Sequence, residues 1–391
     1  MPGKFHQYSI DTWPGLLAAC LVAGIGGLSF NTLPLVSGLW AENYFYSADE
    51  IGHINGAQFS GFAIGILTSL FWVGKIAPRP IVITGLLCTS LVIVLPYLSS
   101  PKDWTLLLIM LGIANALVLA PVVALLGGAT HVERAYGLMY ALQMLLAIAV
   151  TFVVASSFLG AWDLSSALFL LGIVSLFGIA PALSLPGSKI IKTQQPYTTY
   201  RSHWLVITFI LVGMLLFMLG MVGVWSFLDA LELLKLESLN ITIKVEQSLL
   251  VSIALIAALT GSLAAAWLGD RVGVFLPLLL GLLLVLAGIT WMVISSSISV
   301  FWVGALSISF GWNFALAYAT AELAHADRTG NLVTLSPGII GLGGALGVAG
   351  LGSILATHGA VPFYSVAGII ILVGFIFLFL AVHFKPLRQL S

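Results

Sequence analysis

Long apolar runs alternate with short polar or Pro/Gly breaks along this chain, and the runs recur at lengths near the roughly 20 residues that carry an α-helix across a bilayer. Read between the breaks, they predict twelve helical spans, at roughly 13–40, 51–74, 80–99, 104–128, 134–158, 164–185, 203–230, 246–269, 273–295, 299–324, 330–357 and 361–384. The connections are short except one. Pro186 to Ser202, which carries Lys189, Lys192, Gln194, Gln195, Pro196 and Arg201, is the longest clearly polar stretch between spans. The expected organisation is an N-terminal six-helix bundle over 1–185, a linker over 186–202 and a C-terminal six-helix bundle over 203–391. The fold class is all-α integral membrane.

Composition agrees with lipid as the main solvent. Of 391 residues 60% are hydrophobic and only 7% charged, against about 25% charged in ordinary soluble domains. The formal net charge is zero, with 14 basic and 14 acidic residues, which excludes nucleic acid as an expected partner. Both cysteines, Cys20 and Cys88, stand in apolar segments without metal-ligand spacing, so neither a metal nor another cofactor is expected. The polar lead from Met1 to Asp11 precedes an apolar run longer than a signal-peptide core, which is expected to stay as the first membrane helix.

The positions of the charges set the topology. With a cytoplasmic N-terminus, the inside segments hold Lys4, Lys75, Arg79, Arg134, Lys189, Lys192, Arg201, Arg271, Arg328, Lys385 and Arg388, and the outside segments only Lys102, Lys235 and Lys244. That asymmetry is the one the positive-inside rule requires, and it places both termini in the cytoplasm. The compact loops point to a bacterial inner membrane, and Asn240-Ile241-Thr242 is read as a chance glycosylation triplet.

The two halves echo one another. His131-Val132-Glu133-Arg134, before the fifth span, matches His325-Ala326-Asp327-Arg328, before the eleventh, 194 positions on. Gly65, Leu67 and Lys75 match Gly261, Leu263 and Arg271 at an offset of 196. Two echoes at nearly one offset, each at an equivalent loop, are the trace of a duplicated six-helix unit.

Ala266-Trp267-Leu268-Gly269-Asp270-Arg271-Val272-Gly273 resembles the G-x-x-x-D-R-x-G-[RK]-[RK] loop signature of the major facilitator superfamily, with Ala266 at the first glycine position and Val274-Phe275 in place of the basic pair. The first-half copy, Ser69 to Arg79, keeps Lys75 and Arg79 but has Gly74 where the aspartate would stand. The resemblance implies the major facilitator fold of two pseudo-symmetric six-helix bundles, alternating access around a midplane site, and function as a monomer. It implies a secondary transporter and no enzymatic activity. It also implies a cytoplasmic gate in which Asp270, Arg271 and Gly273 meet the Glu133-Arg134 region, with Arg328 as its symmetry mate.

Such a cavity is expected among the first, fourth, seventh and tenth spans, where no Lys or Arg lies near the middle. The polar groups at depth are Asn31, Asn115 and Asn313, with Gln143 on the fifth span, and an amide in hydrocarbon must find partners or a wet cavity. Met214, Phe217, Met218, Met221 and Trp225 share one face of span seven and form a soft wall that Trp312 and Tyr318 extend, suited to an aromatic ligand. Interhelical packing is the competing role for all of these.

Glu322, one turn from Tyr318, is the first carboxylate expected to couple transport to protons, since a carboxyl that loses water resists ionisation. Asp229 is the second, and His53 with Gln58 a weaker third. The glycines of span eleven, from Gly338 to Gly352, are expected to let helices approach closely. Span five lacks the Gly-Pro motif typical of family exporters between Gly137 and Ser157, which favours proton-coupled uptake of a small organic solute. The alternative is a proton-linked exporter of lipophilic or aromatic compounds.

Overall fold

The computed structural model describes residues 10–95, 104–155, 163–188, 203–241, 249–326 and 332–384. Arg328, Asp327 and most of the expected linker lie outside them. The described residues are almost entirely helical, and the only β feature among them is an isolated bridge between Val73 and Ile76.

The first expected span is three consecutive helices, α1 (Trp13–Gly26), α2 (Leu28–Asn31) and α3 (Leu33–Tyr44). Pro14 and Pro34 sit in the first turns of α1 and α3, where no backbone N–H is required, so the breaks fall just ahead of residues that begin helices well. Next comes α4 (Ala48–Trp72), started by a capping box: the Ser47 hydroxyl accepts from the Glu50 amide at 3.3 Å, and the Glu50 carboxylate accepts from the Ser47 amide at 2.8 Å. The rest of the first half is α5 (Pro78–Val94), α6 (Trp104–Leu126), α7 (Val132–Ala155), α8 (Leu164–Phe177) and α9 (Ile179–Ala182). Asp163 caps α8 through the Ser166 amide at 2.8 Å.

The second half contains α10 (His203–Ser226), α11 (Leu228–Ser238), α12 (Leu249–Leu268), a 3-10 turn at Gly269–Val272, α13 (Phe275–Ile294), α14 (Ile298–Ala326), α15 (Ser336–His358) and α16 (Ala360–His383). Ten described helices are long and apolar enough to cross a membrane. The first and third expected spans are represented by the shorter apolar helices Trp13–Gly26 and Pro78–Val94.

Two helix pairs dominate the contact between halves: α4 lies along α15, and α7 along α12. With the offset of about 196 positions, α4 corresponds to α12 and α7 to α15. The two pairs are therefore one pair repeated about a pseudo-two-fold axis. Small residues allow the approach. Gly338, Gly341 and Gly344 of α15 face Ile66, Phe62 and Phe59 of α4, whereas Gly343 and Gly347 face the backbone of α10 at Leu215 and Leu219.

A β-carbon at Gly347 would overlap the Leu219 carbonyl, and neither backbone can yield cheaply. Gly347→Val should destabilise the protein by about 1–3 kcal/mol, as overpacking does. Gly350→Ala, on the same helix but facing open space, should not lower the unfolding temperature, since alanine favours a helix interior over glycine. Equal melting of both variants and wild type would contradict this packing.

Candidate functional site

A cavity of about 90 Å³ lies between the halves. Gly27, Phe30 and Asn31 reach it from the break in the middle of the first span, Phe59 and Phe62 from α4, and Met139, Tyr140, Gln143 and Met144 from α7. The second half contributes Val222 and Trp225 from α10, Ser309, Trp312, Asn313 and Leu316 from α14, and Ser336, Pro337 and Ile340 from the start of α15. The Phe30 ring packs on Phe59 and Phe62, each with centroids 4.8 Å apart. Across the cavity Trp225 and Trp312 meet edge-on at 6.1 Å.

Four of the six expected solute contacts line this cavity: Asn31, Gln143, Trp225 and Asn313. Asn31 Nδ2 donates to Gly27 O at 3.0 Å and, at a longer 3.4 Å, to Gln143 Oε1. Asn313 Nδ2 donates to Ser309 O at 3.1 Å. The other two are placed elsewhere. Asn115 donates to Ser29 Oγ at 2.8 Å and accepts from Thr89 at 3.1 Å, while Gln58 Nε2 donates to the same Ser29 oxygen at 2.8 Å. This network ties α2, α4, α5 and α6 together inside the first half, so Asn115 and Gln58 act as interhelical glue. Tyr318 turns away from the cavity, and its hydroxyl donates to Gly269 O at 2.9 Å.

The methionine wall is also corrected. Of the α10 stripe only Trp225 lines the cavity. Met214, Phe217, Met218 and Met221 are fully buried, with Phe217 edge-on to Phe375 at 4.7 Å and Met218 against Gly343. The methionines on the cavity are Met139 and Met144 of α7. In sequence nothing separates a methionine facing a chamber from one facing a helix.

Beneath the cavity, toward the 269–273 turn, the halves are joined by side chains of α7. Tyr140 Oη lies 3.1 Å from Thr320 Oγ1 of α14, and Glu133 Oε1 lies 2.7 Å from His325 Nε2 at the end of α14. Glu133 is buried. Gly137 of α7 comes so close to α12 that a β-carbon would lie 2.7 Å from the Ala266 amide nitrogen. The duplicated motif thus pairs with itself across the axis, the acid of the first copy bonding the histidine of the second.

The 269–272 turn lies against α7, as expected, but without the expected charge contact. Among the described residues Asp270 makes no ion pair with Arg134, whose guanidinium sits 4.7 Å over the Trp13 ring. Asp270 and Arg271 are exposed, and Arg271 Nη1 reaches only Trp267 O, at 3.5 Å. Gly273 adopts a φ of 67°, a conformation that glycine takes without the β-carbon clash of other residues.

Glu322 is almost fully buried on α14, on the helical face shared with Tyr318 and His325. His53 is instead exposed, 3.5 Å from Asp49. At the far end Asp229 Oδ2 presses on Gly38, where a β-carbon would lie 2.7 Å away, so α11 touches α3 of the first half. Glu232, three residues on, accepts from Trp302 Nε1 at 2.7 Å. Burial is the main force that raises its carboxyl to about 7; the Trp302 bond opposes the shift and the neighbouring Asp229 charge adds to it. Sequence reading missed Glu232, which lies just past the expected end of span seven at 230, on α11.

The fold and the cavity define a polytopic helical membrane protein built to hold a small molecule between two bundles. The chain belongs to the Major Facilitator Superfamily, whose family model matches residues 16–333. It is similar in fold to the crystal structure of the human organic anion transporter MFSD10 (TETRAN), with a TM-score of 0.70 at 16% identity over 93% of this chain and 98% of that one. It is likewise similar to the Major Facilitator Superfamily transporter FucP in the outward conformation, with a TM-score of 0.68 at 12% identity over 95% and 98%. No curated protein matches the chain. The family and the fold make it a secondary transporter of small solutes.

Proposed function

We propose that the protein is a proton-coupled symporter that takes up a small organic solute by alternating access, as a monomer with twelve spans and both termini in the cytoplasm of a bacterial cell. On this reading residues 1–185 and 203–391 are the two moving bundles, 186–202 joins them, and the 269–273 turn faces the cytoplasm. The observation that carries it is the chamber itself: both halves line it, and on the turn side it is closed by a few polar bonds between them. Bonds of that kind can break and re-form as the halves rock.

Proton coupling is supported by carboxylates buried at both ends of the path, Glu322 toward the turn and Asp229 with Glu232 at the far end. The organic anions named for human MFSD10 are not carried over, because the described lining of this cavity holds no Lys or Arg. Lipophilic export is the second reading, favoured by the aromatic walls.

A thermal-stability screen against metabolites finds the solute, since a ligand of the native state raises apparent stability. Proteoliposomes then test direction and coupling. Uptake of the strongest stabiliser should follow an imposed inward proton gradient and collapse with a protonophore. Uptake that follows sodium or the solute gradient alone would overturn the proton reading, and uncoupler-sensitive expulsion of lipophilic dyes from cells would favour the exporter.

A further inference from the structure

Three polar atoms of the chamber are left without a protein partner. Trp312 Nε1 is buried and unbonded, and among the described residues Gln143 Nε2 donates to nothing and Asn313 Oδ1 accepts from nothing. A buried N–H without an acceptor is costly, and Trp312 is one of the residues that line the chamber. The surrounding walls are rings from both halves, and no carboxylate, Lys or Arg lies among the described lining residues.

Taking the chamber as the transport site, as proposed above, we infer that its solute is an uncharged aromatic or heteroaromatic compound whose acceptor group bonds Trp312 and Gln143 and whose donor bonds Asn313. Each element excludes a class. An ion would lose its hydration with no counter-charge to replace it. A saturated polyol would leave the Phe30 and Phe59 faces poorly covered, and a plain hydrocarbon would leave the Trp312 N–H unpaired. A planar ring fits between aromatic walls, where offset and edge-on contacts add to the burial of area. Trp312 is then a specificity-determining residue: it separates acceptor-bearing rings from bare ones.

The test uses the purified full-length protein and four probes of similar size: benzamide, benzoate, benzylamine and cyclohexanecarboxamide. Ligand-induced stabilisation and quenching of tryptophan fluorescence should show millimolar binding of benzamide, with the anion, the cation and the saturated amide each weaker by about tenfold or more. Trp312→Phe keeps a ring and deletes the donor, so benzamide should weaken by about tenfold, the scale of one buried hydrogen bond. Gln143→Leu should act in the same direction and serves where the tryptophan variant folds poorly. Benzoate or benzylamine binding as tightly as benzamide, no benzamide binding at millimolar concentration, or indifference to both variants would each overturn the assigned class. The transport-site reading is judged separately, by whether a cysteine at Met144 can be labelled from both sides of the bilayer.

Discussion

Replacing Glu133 by Gln or His325 by Ala should open the chamber toward the 269–273 turn. The pair is one of two side-chain hydrogen bonds described between the halves at that end, the other being Tyr140 with Thr320. At 2.7 Å it is short, Glu133 is buried, and a hydrogen bond to a charged group contributes about 1.5–3 kcal/mol. Losing that much from the closed state shifts the open-to-closed ratio by roughly one to two powers of ten. A cysteine placed at Met144 should then react with an impermeant thiol reagent from the turn side about tenfold faster or more. The charge-swapped double variant, Glu133→His with His325→Glu, should restore much of the protection, because the motif already pairs across a pseudo-symmetric axis. Labelling rates equal to wild type in both single variants, with normal folding, would reduce the pair to an incidental contact.

That pair shows where sequence reading stops. The echo of His131-Val132-Glu133-Arg134 in His325-Ala326-Asp327-Arg328 was legible, and so was its place at equivalent loops. Which member bonds which could not be read, since the crossing of one copy to the other depends on an axis that exists only in three dimensions. The same limit governs the cavity. An amide inside an apolar run signals depth, and Asn31, Asn115, Gln143 and Asn313 all carried that signal. Direction around the helix decided the rest: Asn115 turned into its own half, toward Ser29 and Thr89. Tyr318 failed for a related reason, because its long side chain spans more than a turn and ends on Gly269 O near the loop. Phe59, Phe62, Met139 and Met144 gave no signal, since an apolar side chain facing a chamber has the same sequence appearance as one facing a neighbour. The break of the first span at Gly27 and Thr32 was passed over because apolar runs flank Ser29, Asn31 and Thr32 on both sides, although Pro34 was a usable mark.

Glu322→Gln should abolish accumulation of solute against a gradient while leaving binding and counterflow exchange largely intact. A coupled carrier needs a group whose contact with water changes as the halves rock, and few carboxylates of this chain meet that condition. Glu322 stands six residues beyond Leu316, the last chamber residue of α14, a rise of about 9 Å. It shares its face with His325, whose bond to Glu133 holds the two halves together at this end. While that bond is made, Glu322 is only 2% exposed and has no open route to bulk water. When it breaks, the end of α14 separates from α7, and water reaches the Glu322 carboxyl from the turn side. A carboxyl closed off in one state and reached by water from the turn side in the other exchanges its proton only in the second, so the proton leaves on the side where the solute leaves. The glutamine keeps the size and one carbonyl acceptor of the acid but can neither bind nor release a proton. The halves can still rock around bound solute, which is what counterflow measures, yet the step is no longer driven by the proton gradient. Uphill transport should therefore fall to background, and the residual exchange should lose its pH dependence. If the variant still concentrates solute in a pH-dependent manner, coupling belongs to another group. Asp229 and Glu232, buried at the far end against α3 and Trp302, are then the residues to replace.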